Sequence, residues 1–315
     1  MPVTKISRRN ALQFIGTAAG TVALGKSNSS FIKPVQDNKP SFTYCLNMAT
    51  IRGHKLGFVK ELETASKAGF GSVEIWIDTF YEYLAKGGTI ADAKKLLNDL
   101  GLKIENSISF NEWIVDDATA RKKGIEEMKK EMGIIAELGC KRIAATAKGA
   151  TNETIPGYDT IAERYSAVLE LGDTTGVVPI LEMWGFTKNM SKVSEVLYIA
   201  MESRHPSAKV LLDIYHLYRG HTSLETLHLL NPVAVDILHM NDYTANFPYQ
   251  TITDADRVYP GDGVAPYKTI LSALARTDQP LVLSCEVFNK IYYAQDALIV
   301  AKTALSKMKT VVANL

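Results

Sequence analysis

The sequence predicts an α/β fold, a single (β/α)8 TIM barrel, and three observations carry that expectation. Short β-type runs alternate with longer amphipathic segments eight times between Ser41 and the C-terminus. Glycine closes one amphipathic segment after another (Gly69, Gly101, Gly139, Gly172), where a helix stop calls for a left-handed residue. Strict alternation implies a parallel sheet with right-handed crossovers, and eight units over about 270 residues suit a closed barrel better than an open doubly wound sheet.

FTYCLNM (42–48) opens the series as a strand, and the segment 56–68 is its helix. GSVEIWI (71–77) is paired with a helix over 90–100, LKIENSIS (102–109) with the long stretch 116–138, and KRIAATA (141–147) with 160–171. VPILEMW (178–184) precedes a helix at 191–202, and AKVLLDIY (208–215) a short one at 223–230. VAVDILHM (233–240) reaches its helix, 266–275, only after a long loop, and LVLSCEV (281–287) precedes a last helix near 295–308. No GxGxxG or Walker-type glycine run follows any strand, which removes the usual nucleotide-binding signature. Nothing of low complexity interrupts 41–315, so this stretch reads as one domain.

Of the 315 residues, 46% are hydrophobic and 22% charged, enough for a large core and too apolar for wholesale disorder. Lys+Arg 35 against Asp+Glu 34 gives a net charge of +1, which argues against nucleic acid or an anionic membrane surface as a main partner. The three cysteines, Cys45, Cys140 and Cys285, cannot all pair and read as buried small hydrophobes. Residues 1–30 differ from the rest. Lys5 and Arg8-Arg9 precede an uncharged run from Ala11 to Gly25, too short for a stable membrane span but suited to a signal-peptide core. SRRNALQ resembles the twin-arginine export motif, departing from it at Ala11 and Gln13. Residues 1–30 are therefore expected to be an export signal and linker that sends a folded protein to the periplasm; a basic tail is the alternative.

In such barrels the active site lies at the strand C-terminal ends. The last four strands each deliver a polar residue there: Glu182, Asp213, His239 and Glu286. Period-two alternation puts Asp213 on the side of Leu211, His239 on that of Ile237, and Glu286 on that of Ser284 and Val282. Three carboxylates and an imidazole would thus point at one spot. The acids would raise one another's pKa unless a cation held them, and a divalent metal does so. The oxygen-rich set suits Mn²⁺, Mg²⁺ or Co²⁺ more than Zn²⁺, which remains open. Singly, Glu182 or Asp213 could equally cap a following helix, and His239 could be an interior histidine.

These residues resemble the xylose isomerase-like barrels, which include sugar epimerases, inosose dehydratases and an endonuclease branch. LEMWGF, LLDIYH, ILHMND, LSCEVFN and the loop DADRVYPGDG carry the likeness, which spans 41–315. The resemblance implies that Glu182, Asp213, His239 and Glu286 hold the metal and that Glu182 and Glu286 also act as an acid/base pair on an enediolate. His216 would contact a substrate oxygen and Arg257 substrate hydroxyls or carboxylate; Arg257 could instead pin its loop to Asp254, Asp256 or Asp262. The expected function is a metal-dependent sugar isomerase or epimerase acting on a small neutral sugar or keto-sugar. A lyase or dehydratase on 3-keto-glycosides and a non-catalytic sugar-binding barrel are the alternatives. Two departures stand out. Lys188 replaces a glutamate of the epimerases, and the second and third strands lack the histidines of the endonuclease branch, so nucleic acid is not an expected substrate.

Position alone nominates further residues. His54, with Asn47 and Arg52, follows the first strand, and Trp76 and Asp78 end the second. Glu112 and Trp113 follow the third, Lys148 ends the fourth and Trp184 the fifth. Trp76, Trp113 and Trp184 suggest a carbohydrate platform or plain packing, and Lys148 an oxyanion contact or proton shuttle. Tyr243, Phe247 and Tyr249 suggest a sugar-stacking wall or a packed loop. A homo-oligomer is left open.

Overall fold

The computed structural model describes residues 40–152 and 157–315; the expected export signal and linker, 1–30, lie outside the described residues. Eight parallel strands close on themselves in chain order. They are β1 Phe42–Asn47, β2 Ser72–Trp76, β3 Lys103–Ile108, β4 Arg142–Ala145, β5 Val178–Glu182, β6 Val210–Asp213, β7 Val235–Met240 and β8 Leu281–Cys285. Pairing of Phe42 with Leu281 and of Cys45 with Ser284 joins the last strand to the first. The (β/α)8 expectation holds, with each strand inside or within two residues of its expected span.

Register explains why the polar strand ends meet. Leu211 pairs with Ile237, and Ile237 with Val282. With Cys45 and Ile180 these three form an apolar layer of their own. Two residues further along each strand, on the same face, come Asn47, Glu182, Asp213, His239 and Ser284. Cross-strand pairing of Asp213 with His239, and of His239 with Ser284, keeps them level.

The helices depart from expectation in three places. Helices α1 Ala49–Arg52 and α2 Phe58–Ala68 follow β1, but β2 stops at Trp76 and runs directly into α3 Ile77–Ala85 before the expected helix, α4 Ile90–Asp99. Ile77 and Phe80 bury one face of α3, a helical spacing that takes Ile77 out of the strand. After α5 Ala118–Glu137, helix α6 Tyr158–Thr175 runs past the expected stop at Gly172 to Gly176, whose φ is +71°. Gly172 sits inside that helix because a Cβ there would stand 2.8 Å from the Val177 carbonyl oxygen. After α7 Val193–Glu202 and β6, helix α8 Ile214–Arg219 begins on Asp213 itself, and the expected segment at 223–230 is only a 3-10 turn, Leu224–Leu229. Helices α9 Tyr267–Leu274, α10 Lys290–Tyr293 and α11 Ala297–Ala313 complete the shell. All three cysteines are buried and unpaired, as expected.

Candidate active site

Four of the expected residues converge. Asp213 and His239 are fully buried, and Glu182 and Glu286 are 4% exposed. His239 Nδ1 lies 3.2 Å from Glu286 Oε2, 3.6 Å from Asp213 Oδ2 and 3.8 Å from Glu182 Oε1. One ligand atom each from Asp213, His239 and Glu286 fall within 4.8 Å of one another, a spacing that could hold a metal ion. Neither ring nitrogen of His239 has an aligned hydrogen bond within the chain, although a carboxylate oxygen stands near each. A buried imidazole nitrogen facing three acid oxygens fits a divalent cation.

Asp213 caps the following helix and also faces the centre. Its Oδ1 accepts from the His216 backbone N–H at 2.9 Å and starts α8. Its Oδ2 accepts from Asn241 Nδ2 and from Arg257 Nη1, each at 3.0 Å. Arg257 is likewise both a loop pin and a site residue. Nη2 donates to Asp254 at 2.5 Å, while Nη1 reaches Glu286 Oε2 at 2.8 Å as well as Asp213. The guanidinium stacks on Tyr215 at 4.2 Å and on Phe288 at 5.1 Å, which fixes its plane.

Burial and charge act in opposite directions here. Burial pushes the Glu182 carboxyl up, and although the nearby His239 lowers it, the charges of Glu286 and Asp213 help carry it to about 8. Burial resists the charge on Asp213 too, but Arg257 above all, with His239, holds it well below the usual carboxylate range. Burial takes His216 down to about 4, so its ring is neutral. For His239 burial opposes the cation, and the charges of Glu286 and Glu74 outweigh it, lifting the imidazole well above its ordinary value.

A cavity of about 220 Å³ opens over this floor, with Glu182, His216, Arg257 and Glu286 in its wall. Planar groups ring it. Phe288 contacts Trp76 at 6.1 Å, Trp76 contacts Phe110 at 5.2 Å, and Phe110 contacts Trp184 at 6.2 Å. Trp184 stacks on Phe186 and Phe186 meets His216, both at 5.4 Å. Arg257 Nη2 lies 3.4 Å from His216 Nε2 and closes the circle back to Phe288. An apolar collar over an acidic floor suits a small ring with C–H faces and several oxygens.

Other nominated residues lie elsewhere. Trp113 is fully buried, donates Nε1–H to the Thr146 carbonyl at 2.8 Å and packs on Tyr165; it is core rather than platform. The ring nitrogens of His54 reach the Ile51 and Gln295 carbonyls at 2.9 and 2.8 Å, tying the β1 loop to the start of α11 and not facing the cavity. Lys148 is exposed on the turn after β4, outside the cavity wall. Arg52 pairs with Asp78 at 2.5 Å and lies over Trp76. Tyr243 stacks on Tyr218 at 3.9 Å, Tyr249 stacks on His221 at 4.4 Å, and the Phe247 carbonyl accepts from Tyr218, so these aromatics pack the loop. The aromatic rings that line the cavity are instead Trp76, Phe110, Trp184, Phe186 and Phe288, three of which sequence reasoning missed. Glu74 was missed as well, although an acid inside SVEIW carries the same signal that singled out Asp213.

Comparison with known proteins agrees with the fold. An inosose isomerase of Bacillus velezensis is 27% identical over 279 residues, covering 86% of this chain and 97% of the relative. The structure described as the IolI protein with a binding zinc atom superposes with a TM-score of 0.78 at 24% identity, over 87% of this chain and 99% of that one. A D-allulose 3-epimerase from Methylomonas sp., solved with D-allulose, gives 0.66 at 16% identity over 86% and 97%. A family model described as xylose isomerase-like TIM barrel matches residues 62–307. The chain belongs to the xylose isomerase-like TIM barrel family.

Proposed function

We propose that the protein is a divalent-metal-dependent isomerase or epimerase of a small neutral sugar, cyclic polyol ketone or keto-sugar, working by proton abstraction next to a carbonyl. The observation that carries this reading is the meeting of Glu182 and Glu286, with Asp213 and His239 between them, under a collar of aromatic rings. The similarity to an inosose isomerase, and to structures described with zinc and with D-allulose, supports it.

Glu182, Asp213, His239 and Glu286 are the proposed ligands of one metal ion. When bound, that ion would polarise a carbonyl and make the neighbouring proton more acidic. The chain's own groups do the rest. Glu182 and Glu286 both face the cavity, where one would deliver a proton and the other accept one. Asn47 Nδ2 donates to Glu286 Oε1 at 3.1 Å and fixes that carboxylate's plane. Arg257 and neutral His216 face the cavity to hold substrate oxygens. The collar excludes water and covers the ring's C–H faces. Export by residues 1–30 belongs to the same proposal and favours a neutral substrate, because sugar phosphates are scarce outside the cytoplasm. A reporter fused behind residues 1–39 and found only in the cytoplasm would remove this part.

Incubating inososes and keto-hexoses in D₂O with Mn²⁺ or Zn²⁺ tests the reading. Deuterium should enter next to the carbonyl, and Glu286→Gln should abolish the exchange. Release of the aglycone from a 3-keto-glucoside would assign a lyase instead. No exchange on any of these by metal-loaded protein would leave a sugar-binding barrel.

A further inference from the structure

The half of the barrel that supplies no proposed ligand still joins three fully buried polar side chains, Asn47, Glu74 and Asn106, beside the centre. Glu74 sits in the middle of β2 between Val73 and Ile75 and is 0% exposed. Its Oε1 accepts from Asn106 Nδ2 at 2.8 Å, and its Oε2 accepts from Ser284 Oγ and, at 3.2 Å, from Asn47 Nδ2. The same Oε2 stands 3.0 Å from His239 Nε2. Asn47, also 0% exposed, shares its amide nitrogen between Glu74 and Glu286. Its Oδ1 accepts from Trp76 Nε1 and from the Ala49 backbone, both at 2.9 Å. Flipping the amide would strand both donors and aim its oxygen at two carboxylates, so its direction is fixed.

A fully buried acid with no Lys or Arg in ion-pair reach calls for a reason. Among the described residues its one ion-pair contact is His239. An imidazole that binds a cation through Nδ1 must keep its proton on Nε2, and that N–H needs an acceptor. We infer that Glu74, clamped by Asn47, Asn106 and Ser284, is the positioning residue that holds the proton on His239 Nε2 and turns Nδ1 to the metal, and that Asn47 ties this frame to Glu286. The inference rests on the metal reading above.

Titration calorimetry of the chelator-treated full chain with Zn²⁺ and Mn²⁺, and the visible spectrum with Co²⁺, test it. Glu74→Gln, nearly isosteric but presenting an amide N–H where donors already point, should weaken metal binding about 10–100-fold and change the Co²⁺ spectrum. Ser284→Ala removes a single hydrogen bond to Glu74 and should weaken binding several-fold, to a lesser extent. A folded Glu74→Gln with wild-type affinity and spectrum would overturn the inference. If that variant does not fold, unchanged affinity in Ser284→Ala overturns it. A wild-type chain that binds neither ion would overturn the metal reading, and this inference with it.

Discussion

Glu61, in the first turn of α2, offers a pH test of the barrel's electrostatics away from the proposed ligands. The residue is 4% exposed, and burial pushes its carboxyl to about 7, with Arg52 opposing and Asp78 and Glu82 adding to the rise. A carboxyl whose folded pKa exceeds its unfolded value stabilises nothing by ionising. Below the ordinary value of 4.5 both states are protonated and there is no penalty. As pH rises from there towards 7, the unfolded chain loses its proton first, and folding stability falls; above 7 the loss is complete. A shift from 4.5 to about 7 corresponds to about 3 kcal/mol at pH 8 but only about 1 kcal/mol at pH 5. Glu61→Gln, which cannot ionise, should therefore stabilise the protein by about 2 kcal/mol more at pH 8 than at pH 5, with Tm gaining roughly 2–4 °C per kcal/mol. Urea unfolding of both proteins at the two pH values measures this. Equal effects at both, or a larger gain at pH 5, would refute the reasoning.

Three further outcomes follow from the site. Arg257→Met should cost about 3–5 kcal/mol in metal-free urea unfolding, because it leaves Asp213 and Glu286 buried without their guanidinium. Trp113→Phe should lose about 1–3 kcal/mol by stranding the buried Thr146 carbonyl, while its kcat/KM on any turned-over sugar stays unchanged. Trp184→Ala should do the reverse, raising KM several-fold with a smaller effect on stability, since Trp184 is half-buried in the cavity collar.

Much of the fold was legible because a barrel of this kind repeats one instruction: apolar strand, glycine-stopped helix, next strand. The misses fall where a local choice depended on the neighbour. Helix α3 follows β2 without a break, so Ile77 read as the strand's last residue and the rest of the helix was assigned to no element. Asp213 ends a strand and caps a helix at once, which moved the helix after β6 forward. In the site, the four residues at strand ends were legible because an acid or imidazole closing an apolar run needs a partner. Lys148, His54 and Trp113 were nominated only by position along the chain, and loops near a barrel's mouth turn many side chains away from it. The collar was half legible: Trp76 and Trp184 stood out by residue type, whereas Phe110, Phe186 and Phe288 lie in loops and carry no signal until the fold brings them together.

A crystal structure of the full chain grown with Mn²⁺ or Zn²⁺, with anomalous scattering to locate the ion, tests the central claim most directly. The account predicts one ion between Glu182, Asp213, His239 Nδ1 and Glu286, with His239 Nε2 still facing Glu74. An ion bound only elsewhere, or an empty centre at saturating metal, would contradict it.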